Sequence, residues 1–222
     1  MSTLVICILF SLSFLALFAF GELLFHKVKL KSEYTRKLTH IGGALITLLF
    51  PIYLPNHWTV LILSSLFAAI LFITDKYDLL KSVHSVKRIT FGGFLFPVAI
   101  YISFVAYEYM NDLTYFYLPV FILAFCDPAA ALVGQNFPII PIKLGKETKT
   151  VSGFLAFIVL SITICFIWYA QFMHEDVSSK SVLIFTIAIV TSVVEFLSKK
   201  GIDNVSIPAI VLSILFLFDK WS

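Results

Sequence analysis

The stretch that decides the fold is TLVICILFSLSFLALFAFGELLF, residues 3–25, followed at once by HKVKLKSEYTRK, residues 26–37. The first part holds a single charge, Glu22, and a membrane-spanning helix needs about 20 apolar residues. No basic region precedes the run and no Ala-x-Ala cleavage site interrupts it, so it reads as a retained span rather than a signal peptide. The second part carries Lys27, Lys29, Lys31, Arg36 and Lys37. Apolar runs continue along the chain, and the basic residues collect in alternate connections between them.

The composition agrees. Of 222 residues, 60% are hydrophobic and 13% charged, 24 are Phe, and the mean hydropathy is +0.99. This excludes a disordered chain, a nucleic-acid-binding arm and an ordinary cytosolic enzyme. The net charge is +3. Cys7, Cys126 and Cys165 all lie in apolar runs, with the spacing of neither a zinc site nor a disulfide framework. The expected fold is an all-α, polytopic transmembrane bundle forming one domain over residues 1–222.

Eight spans are expected: Thr3–Phe25, Leu38–Leu54, Trp58–Thr74, Phe94–Tyr109, Leu113–Val133, Val151–Met173, Ser181–Leu197 and Val205–Trp221. Lys and Arg test this map. The first, third, fifth and seventh connections carry fourteen of the 16 basic residues, leaving only Lys180 and Lys220 elsewhere. By the positive-inside rule those connections are cytoplasmic and both termini lie outside. In the third connection, Leu79, Leu80, Val83 and Val86 recur at helical spacing, which suits either a short amphipathic surface helix or a solvated loop.

Ionisable groups inside spans cost about 2.5–3.5 kcal/mol each on insertion scales, so they need a reason. Asp127 lies within the fifth span, and Pro128 beside it disfavours regular helix there. Ala130 and Gly134 share a helix face and permit close helix approach. Glu22, His40 and Glu195 sit near the same membrane side. Arg36, Lys37 and His40 fall close together on a helix that starts near Glu33, and Arg and Lys are the residues that hold phosphate oxygens. The fifth connection runs from Gly134 through Lys143, Lys146, Lys149 and Thr150 to Ser152 and Gly153, a pattern suited to phosphate at a helix start, although it is not a Walker A loop. Asp203 and Asn204 suit either a helix cap or oxygen ligands for a hard divalent cation.

In order, Glu33-x-x-Arg36-Lys37-x-x-His40, Arg88-x-Thr90-x-Gly92-Gly93, Asp127-x-Ala129-Ala130-x-x-x-Gly134, Lys149-Thr150-x-x-Gly153, and Glu195 with Asp203-Asn204 and Pro208 resemble the motifs of the CTP-dependent lipid kinases. That family includes dolichol, phytol and farnesol kinases and the CTP-dependent diacylglycerol kinase, and its bacterial relatives are often labelled phosphatidate cytidylyltransferase-like. Cys126 stands where the family usually has Gly, and Phe137-Pro138 where it often has another.

The resemblance implies transfer of the γ-phosphoryl group of CTP to the hydroxyl of a lipid alcohol, with Mg²⁺ as cofactor, at the cytoplasmic face. It implies catalytic roles for Asp127, Arg36, Lys37 and Glu195. Nucleotide contacts are implied for Gly134, Lys146, Lys149, Thr150, Gly153 and Asn204, and metal contacts for Asp127 and Asp203. The partners implied are CTP, the lipid alcohol and membrane lipids, with no nucleic acid. A bacterial inner membrane is the expected location, with an endomembrane as the alternative. Two rival readings are a phosphatidate cytidylyltransferase, whose Gly-His-Gly-Gly and paired-aspartate signature is absent, and a small transporter, which predicts inverted repeats.

Overall fold

A computed structural model describes residues 2–77, 79–84, 91–145, 147–174 and 176–221. Among them, eight long helices carry the chain: α1 Thr3–His26, α2 Ser32–Thr47, α3 His57–Lys76, α4 Gly92–Met110, α5 Thr114–Asn136, α6 Val151–Phe172, α7 Ser181–Leu197 and α8 Asp203–Trp221. The all-α, polytopic expectation is met. Five of these helices (α1, α3, α4, α5 and α6) are long and apolar enough to cross a membrane, and α7 is a shorter apolar helix. On α1 the burial is inverted relative to a soluble helix, since Leu4, Ile8, Leu12, Leu15 and Phe20 all face outward. Such a surface is stable only against lipid, and the chain is an integral membrane protein.

The ends of the helices follow local chemistry. Ser2 caps α1 by accepting from the Val5 N–H, and Asn56 caps α3 by accepting from the Thr59 N–H. The second helix starts at Ser32, earlier than the apolar run, so Arg36, Lys37 and His40 lie within it. It ends at Thr47, and a single separate turn, Phe50–Tyr53, follows with Pro51 inside it. Among the described residues of the third connection, helix is present over Lys81–His84; Asp78 and residues 85–90 lie outside the described residues, and with them Val86 and the motif residues Arg88 and Thr90.

One element departs from an all-helical chain. Strands β1 Pro141–Leu144 and β2 Glu147–Thr150 form an antiparallel hairpin, with Ile142 opposite Lys149 and Leu144 opposite Glu147. Gly145, with φ of +72°, sits at the turn, in a backbone region that favours glycine.

The four basic connections lie together at one end of the bundle. The Phe91 N–H donates to the Lys200 carbonyl at 2.7 Å, and the Lys200 N–H donates to Glu147 at 2.9 Å. The Ser82 N–H donates to Glu22 at 2.7 Å, and the Thr35 hydroxyl donates to the Ser82 carbonyl at 2.7 Å. Glu22 also pairs with His26 at 3.0 Å. Its carboxylate therefore fastens the short Lys81–His84 turn to α1.

Two helices approach closely beneath the hairpin. A Cβ added at Gly153 would lie 2.6 Å from the Ala130 carbonyl oxygen, and one at Gly134 would lie 2.6 Å from the Thr150 hydroxyl. The small-residue face expected of Ala130 and Gly134 is thus the contact between α5 and α6. Gly153→Ala should force these backbones apart and cost about 1–3 kcal/mol, lowering the thermal midpoint in detergent micelles. Gly93→Ala, whose Cβ would meet only Leu71 at 3.7 Å, should leave that midpoint nearly unchanged.

Candidate active site

The fifth helix is not regular. Ile122–Cys126 forms a π-turn, and Asp127 begins the α-helix after it, with Pro128 next. In a π-turn each N–H reaches five residues back, so the matching donor for the Leu123 carbonyl would be residue 128, a proline without N–H. His40 fills the gap: its Nε2 lies 3.2 Å from the Leu123 oxygen. A carbonyl can only accept, so Nε2 carries the proton. The His40 ring also meets Phe96 edge-on, with centroids 5.1 Å apart. Pro128 thereby ties the basic helix α2 to the acid-bearing helix α5.

Asp127 opens into a cavity of about 280 Å³ at the end where the basic connections gather. The cavity is walled by α2, the second half of α5, the hairpin, the start of α6, the end of α7 and the start of α8. It brings together Arg36, Lys37, Asp127, Gly134, Lys149, Thr150, Gly153, Glu195, Asp203 and Asn204. Every site residue expected from the sequence is therefore on one wall or another, except Lys146, which lies outside the described residues.

Three carboxylates converge here. Oxygens of Asp127, Glu195 and Asp203 lie within 4.8 Å of one another. They come from three helices, and the chain reverses sharply to deliver the third. Lys200 and Gly201, with φ of 56° and 81°, turn the backbone so that α8 begins at Asp203 against the cavity. Asp203 Oδ1 accepts from the Asn204 N–H at 3.0 Å.

Cations oppose this acid cluster. Lys149 on β2 pairs with the Glu195 side chain and also donates to the Glu195 carbonyl at 3.1 Å. Burial works against the charged Lys149 ammonium, but the Glu195 carboxylate more than offsets it, and the Lys149 pKa lies above the ordinary lysine value. Arg36 pairs with Glu33 at 3.0 Å through one terminal nitrogen. Lys37 is only 5% exposed. Both, together with Lys149, act electrostatically on Asp127.

Two buried polar atoms at the cavity wall have no hydrogen-bond partner among the described residues, Arg36 Nε and Asn204 Oδ1. One is a donor of a cation and the other a neutral acceptor beside the carboxylates. A buried polar atom without a partner is costly, so this pair suits a ligand that carries both an anionic group and a hard cation. Oxygen ligands from carboxylates and an amide are what Mg²⁺ or a similar ion prefers, and the donor set fits it.

Several expected nucleotide contacts also have structural work. The Thr150 hydroxyl caps α6 by accepting from the Gly153 N–H at 3.1 Å. Ser152 donates to the Phe137 carbonyl at 2.5 Å, closing the base of the hairpin. The hairpin itself escaped the sequence reading. Its signal, Gly145-Lys146 between two short segments, was masked by the lysines.

The Lys149–Glu195 pair offers a direct test. Lys149→Met would leave a carboxylate buried alone and should cost about 3–5 kcal/mol. Lys149→Met combined with Glu195→Gln should recover most of that loss. Thermal melting of the two single variants and the double variant in detergent checks this, and simple additivity of the single effects would count against it.

No protein-family model matches the chain, and no solved structure matches it. A phytol kinase of Synechocystis sp. is 26% identical to it over 180 residues, covering 80% of this chain and 76% of the relative. The similarity thus spans most of both proteins rather than one motif. It bears out the resemblance read from the motifs: the chain is similar to the polyprenol and phytol kinase family.

Proposed function

We propose that this protein is a lipid-alcohol kinase that transfers the γ-phosphoryl group of CTP to an alcohol hydroxyl at the cytoplasmic membrane surface. The observation that carries the reading is the single cavity where Asp127, Glu195 and Asp203 face Arg36, Lys37 and Lys149, at the end holding the basic connections. The likeness to phytol kinase supports an isoprenoid-type alcohol as acceptor.

The chemistry asks for positioning and charge neutralisation rather than covalent help. Arg36 and Lys37, with Lys149 beside them, would cradle the nucleotide phosphates, and the sequence offers Lys146 as a further cation for them. Arg36 is suited to this because its Nε has no partner among the described residues. Asp127 would accept the proton of the lipid hydroxyl as its oxygen bonds to the γ-phosphorus. The bond from that phosphorus to the β–γ bridging oxygen breaks, and CDP leaves. Asp203, with Asn204 and one of the other carboxylates, would hold Mg²⁺. When bound, that ion supplies charge neutralisation on the phosphate oxygens. Glu195, held by Lys149, would shape the acid cluster without leaving the pair.

Membranes containing the protein, given CTP labelled at either the α or the γ phosphate and an isoprenoid alcohol, should place the γ label alone in the lipid. Transfer of the α label to phosphatidate would make it a cytidylyltransferase instead. Asp127→Asn should lower kcat at least about a hundred-fold, as expected for loss of a positioned proton acceptor. Full activity in Asp127→Asn would overturn the role given to that residue.

A further inference from the structure

The polar cavity does not end at Asp127. Arg36, Lys37, Asp127 and Asn204 also line the mouth of a second space, which leads away among α1, α2, α3 and α4. There the lining changes to Phe18, Phe67 and Phe96. The same three rings line a third space, which continues past Leu63 and Ile100 to Phe50. The three spaces adjoin through these shared lining residues as a trench, acidic and basic at its head and almost wholly apolar beyond.

We infer that this trench seats the hydrocarbon tail of the acceptor, and that it takes a single isoprenoid chain rather than the paired chains of a diacylglycerol. The inference rests on the kinase reading for the identity of the head group at Asp127. Its geometry is independent of that reading.

Three features favour one tail. The apolar part of the trench is small, the section next to the polar cavity enclosing about 80 Å³ and the deep section about 40 Å³. It is long, because the second helix from Arg36 to Thr47, both lining residues, covers roughly 16 Å at 1.5 Å per residue. That is more than half of a hydrocarbon core about 30 Å thick. It is also open to lipid, since Leu15 and Leu66 on its rim are 48% and 54% exposed. A tail can therefore enter sideways from the bilayer while its hydroxyl reaches the carboxylates. Phe67 forms the waist, with its ring centroid 4.6 Å from Phe14 and 5.4 Å from Phe18.

Ser64 and Ser11 line the deep section and are small and partly exposed, so a larger side chain at either narrows the trench without crowding the core. Purified wild type, Ser64→Phe and Ser11→Phe would be assayed with CTP against geraniol, phytol and diacylglycerol. The trench predicts that both variants keep kcat/KM for geraniol within about two-fold and lose about ten-fold or more for phytol, a size of effect typical of shape discrimination in apolar pockets. Equal losses for both alcohols, no loss for either, or a wild type that prefers diacylglycerol would each overturn it.

A phytol analogue carrying a diazirine near its tail end, photolysed with the wild-type protein, tests occupancy without relying on activity or on any variant's folding. Labelling on α1, α2, α3, α4 or the Phe50–Tyr53 turn supports the trench, and labelling elsewhere overturns it. If the wild type phosphorylates no alcohol, the kinase reading falls while the crosslink still decides the trench.

Discussion

Everything at the functional end of this protein depends on three carboxylates being held within 4.8 Å of one another beside a membrane core. Like charges repel more strongly as the surroundings become less polar. Taking each ion out of water has its own desolvation cost. The chain answers with cations drawn from distant segments. Lys149 comes from the hairpin, Lys37 and Arg36 from the second helix, and the Lys149 ammonium is committed to Glu195 at both its side chain and its carbonyl. The cluster can persist only if the hairpin, the second helix and the last two helices stay assembled around it.

That requirement explains the architecture of the connections. The tight contact of α5 with α6 at Ala130, Gly134 and Gly153 fixes the base of the hairpin, and the Thr150 cap continues directly into α6. The hairpin is then joined to the loop before α8 by the Lys200 N–H bond to Glu147. The residues of the Thr150-to-Gly153 segment position Lys149 through the backbone. Glycine at 134 and 153 is required there because either Cβ would collide with its neighbour.

Much of this was legible in the sequence because membrane segments obey few rules. Apolar length placed the helices, and the alternation of Lys and Arg grouped the connections that the structure brings to one end. Asp127, Asp203 and Arg36 stood out as polar residues in costly or patterned places. What could not be read was pairing. No spacing rule joins Lys149 to Glu195 across 46 positions, or His40 to the Leu123 carbonyl across 83. Glu22 looked like a member of the acid group but serves the Lys81–His84 turn instead. Pro128 was legible as a break, yet a π-turn and a continuing helix, rather than an end, are what its missing N–H produces.

The His40 bond to Leu123 has a mechanical side. It couples the helix that carries Arg36 and Lys37 to the turn that aims Asp127. A pull on the guanidinium by an anion in the cavity would be transmitted along α2, as through a short lever, to the carbonyl one turn ahead of the acid. The π-turn lies between that carbonyl and the acid, so any shift of the bond reaches Asp127 through it. Attraction at one wall of the cavity would then adjust the aim of the carboxylate at the other.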